Sequence, residues 1–140
     1  MVDRFIARFG DCIAVLHSKL SIGERYDEWN RIYNNEAKIV IGARSAIFAP
    51  VEDLGIIIID EEHDISYKAD STPRYNAKEL ASYIAKLNNC PIVLGSATPD
   101  LCTYYKTTED KIRRFDLEKR ANEASLPEVK IVDLRQELAI

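Results

Sequence analysis

The chain has 140 residues, enough for one domain with a useful core, and about two-thirds of the unfolded surface of such a chain is buried on folding. Its 46% hydrophobic and 30% charged residues read as soluble and globular rather than disordered, while a formal net charge of −4 gives no general attraction to nucleic acid or anionic membrane. The apolar runs near Val40, Ile56 and Val93 are too short to span a bilayer, and no signal peptide is visible at Met1. Cys12, Cys90 and Cys102 lack close metal-ligand spacing, so the expectation is a cytoplasmic protein with no membrane partner. The densest basic stretch, Lys111, Arg113, Arg114, Lys119 and Arg120, reads as a solvated face rather than a DNA track.

The first expected strand covers residues 12–16 and delivers a polar loop beginning at His17. Ser21 then caps a helix with Glu24 as the other half of a capping box, and Ile22, Tyr26, Trp29, Ile32 and Tyr33 recur at helical spacing as expected core anchors. A second strand over 38–41 opens into Gly42, Ala43, Arg44 and Ser45. The third, over 55–59, carries four consecutive isoleucines, which suit a strand covered on both faces, and ends at Asp60, Glu61, Glu62 and His63.

Asn76 and Glu79 form a second capping-box pattern before a helix with an apolar stripe of Leu80, Ile84 and Leu87, where Ala77, Ala81 and Ala85 permit close packing. A strand over 91–94 leads into Gly95, Ser96, Ala97, Thr98 and Pro99, with Thr98 and Pro99 as N-cap and first helical residue and Leu101, Tyr104 and Tyr105 available for packing. A last strand is expected near 129–132. Strands separated by helices predict an α/β fold with a mostly parallel sheet and flanking helices, whose ligands gather at the carboxyl ends of the strands. His17, Arg44, residues 60–63 and residues 96–98 all fall there.

At such an edge, Asp60 has the chemistry to hold magnesium directly or through water, and Glu61 to orient or deprotonate an attacking water. A run of four polar residues after a strand is also what a solvated turn looks like, and the residues alone leave both readings open. His63 and His17 belong to no short Cys and His set at structural-zinc spacing, so a zinc site is not expected here. Ser96 lacks the context of a hydrolase nucleophile elbow.

Taken in order, VLHSKLSIGERYDEW, IVIGARSAIFAP, LGIIIIDEEHDISYK, PRYNAKELA, IVLGSATP and EVKIVDLR resemble the DExH helicases of superfamily 2, and among these the bacterial primosomal replication-restart helicases. The resemblance extends over nearly the whole chain. It implies an incomplete RecA-like P-loop NTPase domain, with residues 1–140 forming part of a helicase ATP-binding domain. Asp60 and Glu61 then take the magnesium and water roles, His63 closes the DExH motif and joins the ATP site to motion between lobes, and Ser96 and Thr98 occupy the SAT motif, which couples hydrolysis to DNA movement. Gly42 and Arg44 fall in the motif that supports single-stranded DNA engagement. Ala43 stands where a Thr is common and Asn76 where a His is common, so no hydroxyl-mediated phosphate contact is assigned to position 43.

No G-x-x-x-x-G-K-[ST] phosphate loop occurs in these residues. The resemblance places that loop, the second motor lobe with its arginine finger and the cysteine-rich zinc module in other parts of a longer protein. ATP and Mg²⁺ are its implied cofactors, and single-stranded or forked DNA and primosome proteins its implied partners. The isolated chain is expected to bind DNA weakly or not at all and to hydrolyse no meaningful ATP. The alternative from another class is a noncatalytic α/β interaction or regulatory module with a degenerate nucleotide site.

Overall fold

The computed structural model describes residues 2–119 together with Val129 and Val132. Its short apolar runs become strands because each is flanked by polar or turn residues that stop it. Ile13–Leu16 (β1) pairs in parallel with Ile39–Gly42 (β2), and Ile57–Ile59 (β3) with Ile92–Leu94 (β4). The parallel pairing and the α/β class hold. The described strands form two separate two-stranded sheets rather than one continuous sheet. The strand expected near 129–132 lies largely outside the described residues.

Among the described residues, four α-helices connect or flank these strands: α1, Val2–Phe9; α2, Ile22–Tyr33; α3, Ala77–Leu87; and α4, Leu101–Thr108. Helix α1 was not among the expected elements, although Val2, Phe5, Ile6 and Phe9 repeat at the spacing of one helical face. At α2 the capping box is complete. The Ser21 hydroxyl accepts from the Glu24 N–H at 3.3 Å, and the Glu24 carboxylate accepts from the Ser21 N–H at 2.8 Å. Those hydrogen bonds hold the Glu24 carboxyl below its ordinary value.

The expected aromatic core face of α2 is a correction. Ile32 is 3% exposed and joins Ala14, Leu16 and Ala37 in the core, whereas Ile22 is 91% exposed and Tyr26, Trp29 and Tyr33 are also exposed. What fixes the rotation of α2 is polar: Glu28 accepts from the Val15 N–H of β1 at 2.9 Å and from Arg31 at 2.7 Å. The Glu28 and Ile32 side of the helix therefore faces β1, leaving the aromatic stripe without a described partner. The same contact occupies a backbone donor on β1 that would otherwise be available for edge pairing.

Among the described residues, the isoleucine run is covered on one face only. Ile59 is buried, while Ile56 and Ile58 are exposed, because α3 lies across one side of β3 and β4 and no described element lies across the other. On α3 the buried stripe is Ala77, Ala81 and Ala85; Leu80 and Ile84 are half-buried and Leu87 is exposed. Small side chains let the helix axis approach the strands closely, which leaves the larger residues on the flanks.

Two capping expectations also change. Asn76 caps α3 through the Lys78 N–H at 3.0 Å, and Glu79 accepts from the Asn76 side-chain amide rather than from its backbone, so the capping box is not formed. At α4 the N-cap is Asp100, whose carboxylate accepts from the Cys102 N–H at 2.9 Å, and Thr98 and Pro99 precede the helix. An aspartate is an equally good N-cap, and its position one residue beyond Pro99 gives the loop two more residues. Leu101, Tyr104 and Tyr105, expected to pack, are all exposed, and Tyr104 accepts a hydrogen bond from Arg114 at 3.0 Å. Among the described residues no helix is long and apolar enough to cross a membrane.

Candidate nucleotide and coupling site

Parallel pairing sends β3 and β4 out at the same edge, so the loops that follow them meet. The Gly95 N–H donates to the Ile59 carbonyl at 2.8 Å, and the Glu62 N–H donates to the Gly95 carbonyl at 3.0 Å, which extends the strand register by one turn of chain. Asp60 lies exposed at this edge with its Oδ1 accepting from the Glu61 N–H at 3.1 Å. Glu61 adopts a left-handed φ of +47°, uncommon for a residue with a side chain and a recurrent feature of functional loops. That turn leaves its carboxylate exposed, with Oε2 3.6 Å from His63 Nδ1.

His63 Nδ1 lies 2.7 Å from Ser96 Oγ, and the same oxygen accepts from the Thr98 N–H at 3.0 Å. The Ser96 hydroxyl, with one donor and two acceptor sites, can serve both contacts at once, and which of Ser96 and His63 donates depends on the imidazole tautomer. The acid loop and the loop of residues 96–99 are thus bridged by side chains. Asp60, Glu61, His63, Ser96 and Thr98 therefore share one edge, as the strand-end argument expected. His17 does not join them by any described hydrogen bond; its Nδ1 accepts locally from the Lys19 N–H at 3.2 Å.

Tyr67 closes the acid loop from behind, its hydroxyl donating to the Asp60 carbonyl at 2.6 Å. Burial and then the carboxylates of Asp60, Asp64 and Glu61 push the Tyr67 phenol up, which keeps it protonated as a donor. Asp64 caps the 3-10 turn Ile65–Tyr67 through the Ser66 N–H at 2.7 Å, and that bond holds its carboxyl below the ordinary value.

Gly42 ends β2, and Arg44 opens the 3-10 turn Arg44–Phe48 that follows it. A Cβ on Gly42 would stand 2.4 Å from the Leu16 carbonyl oxygen and 2.7 Å from Ala46 Cβ, so the position requires glycine for close backbone approach. Arg44 reaches across to the loop after β3, donating to the Ser66 carbonyl at 2.9 Å and to the Lys68 carbonyl, with its guanidinium 5.7 Å from the Tyr75 ring centre. Tyr75 in turn meets Phe48 edge-on at 5.0 Å. In this structure Arg44 joins two strand-end loops.

Sequence reasoning left Glu62 without a role. It is 1% exposed, and its carboxylate accepts from Lys78 Nζ at 2.8 Å, the Asp100 N–H at 2.6 Å and the Thr103 hydroxyl at 3.1 Å. Burial acts to raise this carboxyl, but the bonds from Lys78, Asp100 and Thr103 together hold it below its ordinary value. No short-range pattern links positions 62, 78 and 103, so only the fold reveals the cluster.

Among the described residues, no group of three or more His, Cys, Asp or Glu side chains could hold a metal ion unaided. Two exposed carboxylates at a strand end fit magnesium, which commonly takes one or two protein oxygens together with phosphate and water, better than a closed zinc cage.

Comparison with known sequences gives the class: the DEAD/DEAH box helicase family matches residues 1–106, and the chain belongs to that family. Within it, the chain is 54% identical over 138 residues to Replication restart protein PriA of Bacillus subtilis (strain 168), covering 99% of this chain and 17% of that protein. It is 48% identical to proteins of the same name from Synechocystis sp. and Treponema pallidum, covering 99% and 98% of this chain and 17% and 21% of theirs. The chain thus spans about a fifth of the length of these relatives.

Proposed function

We propose that this chain forms part of the first motor lobe of an ATP-dependent DNA helicase acting in replication restart and primosome assembly. The observation that carries the reading is the 2.7 Å contact between His63 and Ser96, which joins a strand-end acid pair to the loop of the neighbouring strand. Similarity to relatives named for replication restart supports the biological setting.

In this reading Asp60 positions magnesium, directly or through water, and Glu61 orients the attacking water or accepts its proton. The Mg²⁺–ATP complex, when bound, supplies the phosphoryl group and charge neutralisation. His63 and Ser96 transmit changes at that edge to residues 96–99, with Thr98 holding the Ser96 oxygen through its N–H. Gly42 sets the close approach of the β1 and β2 exits, and Arg44 presents the adjoining loop to single-stranded or forked DNA.

The phosphate-loop motif is absent from these residues, so the test replaces the matching segment of the Bacillus subtilis relative with this chain. The chimera should hydrolyse ATP in a DNA-stimulated manner. Glu61→Gln should lower turnover by at least about a hundredfold, the usual weight of a positioned proton acceptor, while ATP binding persists. Equal loss of binding and turnover in a folded variant would refute the division of labour. DNA-stimulated turnover at a normal helicase rate from the isolated chain would refute its proposed dependence on other segments.

A further inference from the structure

Residues 61, 62 and 63 leave β3 in three directions. Glu61 lies toward solvent, His63 meets Ser96, and Glu62 turns inward. Glu62 holds the loop of residues 96–99 at both ends. Its backbone N–H donates to the Gly95 carbonyl at 3.0 Å, where that loop begins, and its Oε1 accepts from the Asp100 N–H at 2.6 Å, where the loop ends.

The second of these bonds has a recognisable logic. In a local capping box, the side chain three residues into a helix accepts from the N-cap N–H. In α4 that place belongs to Thr103, whose hydroxyl instead donates to Glu62 Oε2 at 3.1 Å. A carboxylate from the acid loop therefore supplies the missing half of the cap from 38 residues away. Lys78 of α3, 2.8 Å from Oε2, provides the counter-charge.

Glu62 is the one charged residue buried among the described residues. An apolar side chain there would leave the Lys78 ammonium, the Asp100 N–H and the Thr103 hydroxyl without their common acceptor, so the buried carboxylate ties three elements to one point.

We propose that Glu62 is a positioning residue that fixes residues 96–99 to the acid loop, so that the two loops move as one body when the nucleotide site changes state. This rests on the motor-lobe reading above. Buried as it is, Glu62 contacts neither nucleotide nor attacking water; it acts through the Gly95 carbonyl and the N-terminal turn of α4. Loss of its charge should loosen coupling more than it slows hydrolysis.

The test uses Glu62→Gln and Lys78→Met. In the 140-residue chain, Glu62→Gln should speed amide exchange at Asp100 by about tenfold, the weight of one hydrogen bond to a charged acceptor, without changing exchange in α2. In the chimera, Glu62→Gln should lower the DNA unwound per ATP hydrolysed by a similar factor. Lys78→Met removes the counter-charge but leaves the bonds to Asp100 and Thr103. It should lower the melting temperature, because the remaining charge is left buried and unpaired, while the retained bonds to Asp100 and Thr103 keep the unwound-per-ATP ratio within about twofold.

Unchanged exchange at Asp100 in Glu62→Gln would overturn the proposal. So would an unchanged unwound-per-ATP ratio in that variant, or an equal fall in that ratio in Lys78→Met. A wild-type chimera with no Glu61-dependent ATP hydrolysis would overturn the motor-lobe reading and this proposal together. An active chimera with full coupling in Glu62→Gln overturns this proposal alone.

Discussion

Gly42→Ala is the sharpest test of how the strand-end edge is assembled. The added Cβ would meet the Leu16 carbonyl oxygen at 2.4 Å, Ala46 Cβ at 2.7 Å and Leu16 Cβ at 3.2 Å. Two of these contacts lie well inside van der Waals range, and the nearest atom is backbone, so no side-chain rotation relieves it. Overpacking of this kind costs roughly 1–3 kcal/mol. The Leu16 carbonyl also accepts from the Ala43 N–H at 3.3 Å, so displacing it threatens a hydrogen bond that contributes about 1 kcal/mol.

The expected destabilisation of about 2–4 kcal/mol should lower the melting temperature by roughly 6–20 °C for a chain of this size. Thermal unfolding followed by circular dichroism would measure it, with Gly23→Ala as the control of opposite sign. Gly23 lies inside α2 with nothing within 4 Å of a built Cβ, so alanine there should stabilise by up to about 1 kcal/mol through helix propensity. A Gly42→Ala melt within about 2 °C of wild type would refute the close-approach argument, because the cost would then be well under 1 kcal/mol.

Ile32→Ala should cost about 2–5 kcal/mol and Ile22→Ala less than about 0.5 kcal/mol, since the two sit on one helix at 3% and 91% exposure; similar denaturation midpoints would refute the rotation of α2. The Glu62 carboxyl is lowered on folding, so its stabilising contribution is present above the ordinary carboxyl range near pH ~4.3 and is lost as pH falls through the lower folded value. The stability gap between wild type and Glu62→Gln should therefore narrow below about pH 4 in urea titrations, and a gap that widens there would contradict the sign. Arg44→Ala should speed amide exchange and proteolysis around residues 65–68 by removing donors to the Ser66 and Lys68 carbonyls, and unchanged protection would show that the clamp does not hold that loop.

The edge residues were legible because strands punctuate themselves. Apolar runs ending at Leu16, Ile59 and Leu94 placed the polar loops at their carboxyl ends, and Ser21 with Glu24 announced the start of α2. Periodicity identified the aromatic stripe on α2 but carries no information about whether another element covers it. Glu28, a polar residue on the opposite side, decided that instead by reaching the Val15 N–H. The isoleucine run misled for the same reason, since hydrophobicity reports what a face could bury rather than what is beside it. At Asp100 the competing N-caps Thr98 and Asp100 are chemically similar, and the bond from a distant carboxylate favours the later one. Glu62 was invisible in its own role because its partners stand 16, 38 and 41 positions away.

The left-handed turn at Glu61 has an evolutionary consequence. Surface loops ordinarily tolerate insertions and deletions, because nothing depends on their residue count. Here one left-handed residue sends three consecutive side chains to solvent, to the interior and to Ser96. A single insertion between Asp60 and His63 would permute those destinations, placing a carboxylate where the imidazole belongs or burying the imidazole beside Lys78. Length in this loop is therefore as constrained as chemistry, and natural variation should enter it by substitution rather than by insertion.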